Sequence, residues 1–186
     1  MAGFSQGDPS APLQIDAFFD FMCPDCRDTW PVLKQVLQKY GSEKVFFRVI
    51  PFSLPYHAFS FPANMGGLVA QNLSANPLDW MEAVFANQDS FTAKQQLEPW
   101  TQGFQEFGAL AAKSLGVNGT TFSNMLRQSN INFATRVSFK YACSRGVSGT
   151  PSVMINGMAT DANPSWSVND WTTLLDSVLA GEYPSS

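Results

Sequence analysis

The 186-residue chain has only three cysteines and one histidine, and it lacks any run of 18 or more apolar residues. Three cysteines are too few for a fold held together by disulfides. The missing apolar run predicts that no helix spans a membrane. Lys and Arg are also few, 11 against 15 Asp and Glu, and they form no basic run, so we expect no nucleic-acid partner.

The first residues also lack a basic segment followed by an apolar one, which predicts that this sequence carries no signal peptide. If such a peptide has been removed, a secretory or organellar compartment stays possible, so the sequence leaves the localisation unknown. Apolar residues are abundant in contrast: they make up 45% of the chain, with 16 Phe and 5 Trp. This is enough for a sizeable core, in one domain with an insertion or in two small lobes.

Hydrophobic periodicity predicts an α/β fold. Residues 1–12 have the character of an irregular lead-in, and no convincing strand occurs between about residues 63 and 130, where several helices are expected. The predicted strands are 13–19, 45–50, 152–155 and 158–160, the last two joined by an Asn156-Gly157 hairpin turn. Other helices are predicted at 23–40, 134–144 and from Ser167 to about Ala180, where Ser167 and Asp170 form a capping box.

A C-x-x-C motif, Cys23-Pro24-Asp25-Cys26, directly follows the predicted strand 13–19 and forms the first turn of a helix. The unpaired N–H groups of a helix N-terminus stabilise a thiolate, and cysteines in such motifs have pKa values of about 3.5–7.5. We therefore expect Cys23 to be the attacking thiol and Cys26 to resolve the mixed disulfide. Pro24 suits the first turn because it has no N–H to lose. A zinc site would need a second pair of Cys or His residues, so we predict neither a metal nor another cofactor.

Gly149-Thr150-Pro151-Ser152 precedes the third predicted strand. Together with the C-x-x-C motif, this segment resembles the thioredoxin superfamily, and specifically its DsbA-like branch. In that superfamily a proline before this strand is cis and packs beside the C-x-x-C motif. The resemblance assigns this role to Pro151, with Thr150 presenting its backbone to a bound substrate chain.

The resemblance covers nearly the whole chain and implies a thioredoxin fold, which is a central mixed sheet flanked by helices. It also implies a helical domain inserted between the second and third strands. Residues 1–62 and 131–186 would then form the thioredoxin-like domain, and residues 63–130 the inserted helical domain.

The sequence also departs from the DsbA-like pattern at two places. Many relatives carry a buried acid six residues before the first active-site cysteine, where this chain has Ala17. The nearby acids are Asp16 and Asp20, and Asp16 is expected at the surface because alternation puts it on the opposite strand face from Ala17. Inside the motif, Asp25 replaces a frequent histidine. We hypothesise that its carboxylate disfavours the Cys23 thiolate and makes the protein a weaker oxidant.

Four further side chains are candidates for the site or its surroundings. Phe21 and Met22, which precede the motif, could form an apolar surface patch for unfolded or peptide substrates. His57 could line the active-site groove, although a surface or capping histidine is the expectation. Cys143 is predicted to be a buried free thiol.

Three functions are compatible with these features. The first is a thiol–disulfide oxidoreductase that exchanges disulfides with protein or peptide thiols and with an unidentified redox partner. The second is a glutathione-dependent transferase or isomerase of the kappa-like type, in which residues 146–151 would bind glutathione; Cys26 argues against it, because such proteins usually lack the second cysteine. The third is a non-catalytic peptide-binding module. The sequence does not give the direction of electron flow, which depends on tens of millivolts.

Overall fold

The structure, a computed structural model, describes residues 3–94 and 100–182. Within these ranges five strands form one mixed sheet, which eight helices flank. The strands are β1 (Phe4–Gln6), β2 (Leu13–Phe19), β3 (Val45–Pro51), β4 (Ser152–Ile155) and β5 (Met158–Ala159). The helices are α1 (Pro24–Tyr40), α2 (Ser60–Asn72), α3 (Pro77–Phe85), α4 (Gln88–Lys94), α5 (Trp100–Leu115), α6 (Gly119–Met125), α7 (Ser129–Ser144) and α8 (Val168–Leu179).

Strand β2 lies at the centre of the sheet, whose order is β1-β3-β2-β4-β5. It pairs in parallel with β3 and antiparallel with β4. Its first residues alternate between buried and half-buried, and its last three are all buried, so both faces of its C-terminal end are covered. This mixed sheet with flanking helices confirms the predicted fold class, and the predicted strand 13–19 ends where the C-x-x-C loop begins.

Strand β1 was not predicted, because residues 1–12 were expected to be irregular. It has three residues, of which only Phe4 is buried, and it pairs antiparallel with β3 at the edge of the sheet. A strand this short shows no alternation in the sequence, and its partner lies more than 40 positions further along the chain. The helical insertion was predicted to follow the second strand. Because β1 is an additional first strand, the insertion follows the third strand of the structure, β3.

The helical insertion packs on the sheet through one continuous apolar core, to which Phe19, Trp80 and Phe107 all contribute. Helix α2 is its central element, since nearly all of its first eleven residues are buried. Gly66 lets the Trp80 ring approach, because a Cβ atom there would lie 2.4 Å from that ring. The predicted domain limits at 62/63 and 130/131 fall within α2 and α7, and the division into two domains stays a prediction.

The C-terminal part follows its sequence signals closely. Asn156 and Gly157 both have positive φ, 50° and 81°, as the predicted hairpin turn between β4 and β5 requires. At the start of α8, the Ser167 side chain accepts from the Asp170 backbone, and the Asp170 side chain accepts from the Ser167 backbone. The predicted capping box is therefore confirmed.

Candidate active site

The two motif cysteines lie where β2 passes into α1. Cys23 is the N-cap residue of the helix, and Pro24 is its first helical residue. The Cys23 N–H donates to the carbonyl oxygen of Asp20 at 3.0 Å, which closes the loop between strand and helix. Both cysteines are free thiols. Cys23 keeps 4% of its surface exposed and Cys26 none, which is the expected order of accessibility.

The two thiols have opposite ionisation tendencies. The pKa of Cys23 is lowered from the ordinary value of 9.0 to about 6, mainly by a hydrogen bond from Cys26 and against the opposing effect of burial. Smaller contributions come from the Thr150 side chain and from the backbone N–H groups of Cys26 and Asp25. Burial raises the pKa of Cys26 well above 9.0, and its interaction with Cys23 adds to this. At neutral pH Cys23 is therefore a thiolate and Cys26 a neutral thiol.

The peptide bond between Thr150 and Pro151 is cis, as the resemblance implied. In its neutral form the Cys23 thiol donates to the Thr150 carbonyl oxygen at 3.5 Å, so the loop before β4 lies directly beside the motif. The Thr150 hydroxyl is buried and has no hydrogen-bond partner within the described part of the chain. The Thr150 side chain lowers the pKa of both cysteines, since a hydroxyl can donate to a thiolate.

Asp20, three residues before Cys23, is a fully buried acid for which the sequence pattern predicts no role. Its carboxylate accepts from the backbone N–H groups of Met22 at 2.8 Å and Leu54 at 2.9 Å, and it pairs with His57 Nδ1 at 2.8 Å. One signal was present in the sequence: Asp20 is the only charged residue between Ala17 and Met22. A buried charge in such a segment needs partners.

His57 lies at the wall of a cavity next to the motif, with 20% of its side chain exposed. This cavity has a volume of about 240 Å³ and is also lined by Met22 and Pro24. The Tyr56 ring packs edge-on against His57, with 4.9 Å between ring centroids. The pKa of His57 is raised, first by its hydrogen bond to Asp20 and further by the charges of Asp20 and Cys23, while burial opposes the rise. His57 is paired with a buried acid and partly exposed, and its role in an active-site groove stays a prediction.

Two buried amides from the helical insertion hold the loop before the motif. Gln88 Nε2, on α4, donates to the carbonyl oxygens of Phe21 and Cys23, both at 2.9 Å. Asn64 Oδ1, on α2, accepts from the Phe21 N–H at 3.0 Å, and its amide donates to the Ser53 hydroxyl at 2.8 Å. The sequence carries no local signal for the contacts with the motif loop, because 43 or more positions separate Asn64 from Phe21 and Gln88 from its two partners.

The predicted apolar patch before the motif is wrong for Phe21. Its side chain is fully buried and packs edge-on against Phe4 and Phe85. Met22 is 5% exposed and lines the same cavity as His57. The loop turns both side chains inward because the backbone around Phe21 is held by the buried amides described above.

Cys143 was predicted to be buried but is exposed. Helix α7 buries Ile131, Thr135, Ser138 and Ala142. Cys143 follows Ala142 by one position, which rotates it by about 100° around the helix axis and toward solvent.

Two further acids near or in the motif are Asp16 and Asp25. Asp16 was expected at the surface, but its side chain is only 15% exposed and forms a two-bond ion pair with Arg48, at 2.8 and 2.6 Å. The strand does turn it away from Ala17, as expected, and Arg48 lies opposite it on the neighbouring strand. Asp25 is exposed. Its backbone N–H, and not its carboxylate, is among the groups that lower the pKa of Cys23. The proposed effect of the Asp25 carboxylate stays a prediction.

Two further properties concern metal binding and membrane spans. Within residues 3–94 and 100–182, no three side chains of His, Cys, Asp or Glu come together as a metal site would require. Over the same ranges, none of the helices combines the length and apolar character needed to span a bilayer.

Comparison with known proteins agrees with this geometry. A family model described as thioredoxin matches residues 2–177. A search among curated proteins gave no significant match. Among solved structures, the chain is similar to a putative protein-disulfide isomerase from Pseudomonas syringae, with a TM-score of 0.79 and 21% identity over 93% of this chain and 97% of the other.

Two further structures share the fold. BdbD from Bacillus subtilis matches with a TM-score of 0.73 and 16% identity, over 96% of this chain and 94% of the other. The oxidoreductase DsbA from Xylella fastidiosa matches with a TM-score of 0.62 and 16% identity, over 95% and 92%. The family match over nearly the whole length, together with this shared architecture, shows that the chain belongs to the thioredoxin superfamily and has the fold of its DsbA-like branch.

Proposed function

We propose that this protein is a thiol–disulfide oxidoreductase that exchanges disulfides with protein or peptide substrates through Cys23 and Cys26. The observation that carries the proposal is the contrast between the two thiols. Cys23 has a pKa of about 6 and retains some exposure, whereas Cys26 is fully buried with a raised pKa. A thiolate is the nucleophile in disulfide exchange, so only Cys23 is ready to react with a substrate at neutral pH.

In the reducing direction, the Cys23 thiolate attacks one sulfur of a substrate disulfide. A Cys23–substrate mixed disulfide forms, and the other substrate sulfur leaves as a thiolate. Cys26 then passes its proton to the first substrate thiolate and attacks the Cys23 sulfur, which forms the Cys23–Cys26 disulfide and releases the second substrate sulfur as a thiolate. The substrate gains two electrons and the protein loses two.

The same steps in reverse oxidise a substrate dithiol. Either direction needs an external thiol or disulfide couple to regenerate the starting state, and this is the unidentified redox partner. The proposal gives Thr150 the role of meeting the substrate chain, and the contact of its carbonyl oxygen with the Cys23 sulfur at 3.5 Å supports this role. An extended substrate strand at this loop would lie across the position of the attacking thiolate.

The dithiol arrangement favours this function over the two alternatives. A glutathione-dependent transferase or isomerase needs a single nucleophile, so it has no need of a second, fully buried thiol within hydrogen-bond distance of the first. A non-catalytic peptide-binding module would have no need of a thiol with a lowered pKa.

The first test is the reduction potential of the Cys23–Cys26 pair. The protein is equilibrated in glutathione buffers of graded composition and its free thiols are trapped, with Cys143→Ser as the background so that the exposed third thiol does not contribute. A potential near or above about -180 mV would indicate an oxidase or isomerase, and one near about -270 mV a reductant. Failure to form the disulfide would overturn the proposal and favour the glutathione-binding or non-catalytic alternative.

Single substitutions distinguish the roles of the two cysteines in an exchange assay with a disulfide-containing peptide. Cys23→Ser should abolish the exchange. Cys26→Ser should still attack that peptide but accumulate the mixed disulfide, because the resolving thiol is missing. A Cys26→Ser variant that binds glutathione saturably and shows full transferase activity would support the transferase instead.

A further inference from the structure

Helix α7 has an exposed face that carries both apolar and cationic side chains. Phe133 and Val137 are 66% and 42% exposed. Arg136 and Lys140 lie on the same exposed part of the helix. Within residues 3–94 and 100–182, neither of these two cations has a carboxylate within ion-pair distance. The face therefore offers apolar contact together with positive charge that no carboxylate of the described chain offsets.

Three adjoining hollows lead from the motif to this face. The first is the cavity of about 240 Å³ that Pro24 and His57 line next to the motif. His57 also lines a second cavity of about 390 Å³, and Arg136 lines this cavity too. The third is an open depression that Arg136 shares with Phe133. Because neighbouring hollows share a lining residue, they follow one another from Pro24 to Phe133, and we call this row the docking groove.

The second cavity has mainly apolar walls. They come from the segment before α2, from the first turn of α2 and from α7, and they comprise Leu54, Pro55, Ala58, Phe61 and Phe139. The Phe139 ring is fixed by stacking on Phe52, with 4.7 Å between the ring centroids. A volume of about 390 Å³ is ample for one large apolar side chain of a bound peptide.

The groove has no negative charge along most of its length. Residues 44–78 and 107–160 contain no Asp or Glu, although the chain has 15 acids and a net charge of -4. The second and third hollows accordingly have no carboxylate among their described lining residues. At the motif end, the carboxylate of Asp89 is paired with Arg27 at 3.2 Å. Arg136 is thus an unneutralised cation in a groove without acids, on a protein that is acidic as a whole.

We propose that the docking groove binds an extended segment of the substrate and selects segments in which an apolar residue is followed by an acidic one. The apolar side chain would occupy the second cavity, and the carboxylate would pair with Arg136. A guanidinium group suits this task, because it can bind a carboxylate through two parallel hydrogen bonds. This inference rests on the proposed exchange function and names its substrate class. Arg136 determines specificity and takes no part in the exchange chemistry.

The test compares peptide dithiols that differ in one residue. Each peptide contains two cysteines, one Leu and, at about one to five positions beyond the Leu, a Glu, Gln or Lys. The protein, in the Cys143→Ser background, is kept oxidised by excess oxidised glutathione. Each peptide gives two electrons to the Cys23–Cys26 disulfide and becomes a disulfide itself, and oxidised glutathione then reoxidises the protein. The second-order rate constant of peptide oxidation is measured above the background with glutathione alone.

At the best spacing and at low salt, we expect the Glu peptide to react about fivefold faster than the Lys peptide. Arg136→Glu should reverse this preference, so that the Lys peptide reacts faster. Lys113→Glu is the matched control, because it makes the same kind of charge reversal at an exposed position of α5 outside the groove. It should retain the preference of the parent protein.

A second variant tests the apolar subsite. Ala58→Phe places a ring into the second cavity, so it should slow the oxidation of peptides with Leu more than that of a peptide with Gly in its place. Dithiothreitol makes no contact along the groove, and every variant should oxidise it at the rate of the parent protein. This control shows that the fold and the disulfide are intact.

Equal rates for the Glu, Gln and Lys peptides with the parent protein, or an unchanged preference in Arg136→Glu, would overturn the inference. It is also overturned if the parent protein does not discriminate among the peptides but sediments with vesicles that contain phosphatidylglycerol, since the α7 face would then bind an anionic membrane. In these cases dithiothreitol would still be oxidised, so the proposed function would stand. A parent protein that forms no Cys23–Cys26 disulfide and does not oxidise dithiothreitol would instead defeat the proposed function itself.

Discussion

The Sγ atom of Cys23 lies 3.5 Å from the carbonyl oxygen of Thr150, so two segments 127 positions apart meet at the reactive sulfur. The same threonine carries a buried hydroxyl that has no hydrogen-bond partner among the described residues. We propose separate tasks for the backbone and the side chain of Thr150. In this proposal the carbonyl group lies where a substrate strand passes, and the hydroxyl donates a hydrogen bond to the thiolate.

We therefore expect Thr150→Val to raise the pKa of Cys23 above about 6. Valine keeps the β-branched shape of threonine but cannot donate a hydrogen bond, and a donor to the charged form lowers a pKa. Thiolate absorbance against pH measures the change. Thr150→Ser, which retains the hydroxyl, should stay close to the parent protein, and equal shifts in both variants would show that packing rather than the hydroxyl is responsible.

A second prediction concerns alkylation, because only the thiolate reacts. In the Cys143→Ser background, the rate of alkylation by iodoacetamide should rise with a midpoint near pH 6, the pKa of Cys23. Mass spectrometry should place the label on Cys23 alone at neutral pH, since Cys26 is fully buried and its pKa is raised. Labelling of Cys26 in native Cys23→Ser at neutral pH would contradict this assignment.

The sequence predicted those elements whose pattern is local. Strand β2 and strand β4 were found with their observed limits, and the Asn156-Gly157 turn and the Ser167 capping box depend on residues at most three positions apart. The C-x-x-C motif is equally local. Its position after a buried strand was enough to predict the helix N-terminus and the low pKa of Cys23.

The features that the sequence missed depend on partners far along the chain. Strand β1 exists only through its pairing with β3, and Asp20 meets His57 across 37 positions. Phe21 was expected at the surface because it flanks an active-site motif, yet contacts from α2 and α4 turn its loop inward. Cys143 was misplaced because α7 is amphipathic and a single position decides between core and solvent.

A third prediction concerns the hydrogen bonds by which Gln88, in the helical insertion, holds the loop before the motif. Gln88→Leu leaves the carbonyl oxygens of Phe21 and Cys23 buried without their donor, and we expect a loss of roughly 2–4 kcal/mol in the free energy of unfolding. Guanidinium denaturation of the reduced protein measures it. Gln71→Leu, the same substitution at an exposed position of α2, is the matched control. Equal stability of the two variants would mean that the loop does not depend on Gln88.

The last prediction follows from the pKa of Cys23 and concerns stability against pH. Because that pKa falls from 9.0 to about 6 on folding, the thiolate contributes its full stabilisation above about pH 9 and loses it as the pH falls toward 6. The disulfide form has no such ionisation. The free energy of unfolding of the reduced protein, relative to that of the oxidised protein, should therefore increase from pH 6 to pH 9.

Above pH 9 the trend should reverse, because Cys26 stays protonated in the fold at pH values where it ionises in the unfolded chain. Guanidinium midpoints of both redox forms at several pH values, in the Cys143→Ser background, measure the difference. Groups that titrate equally in both forms cancel in this comparison, so the rise reports the active-site thiols. Cys23→Ser, compared with the oxidised protein in the same way, should lose the rise between pH 6 and 9. A flat difference in the Cys143→Ser protein would mean that the fold does not stabilise the Cys23 thiolate, and the chemical contrast between the two cysteines would then have to arise from accessibility alone.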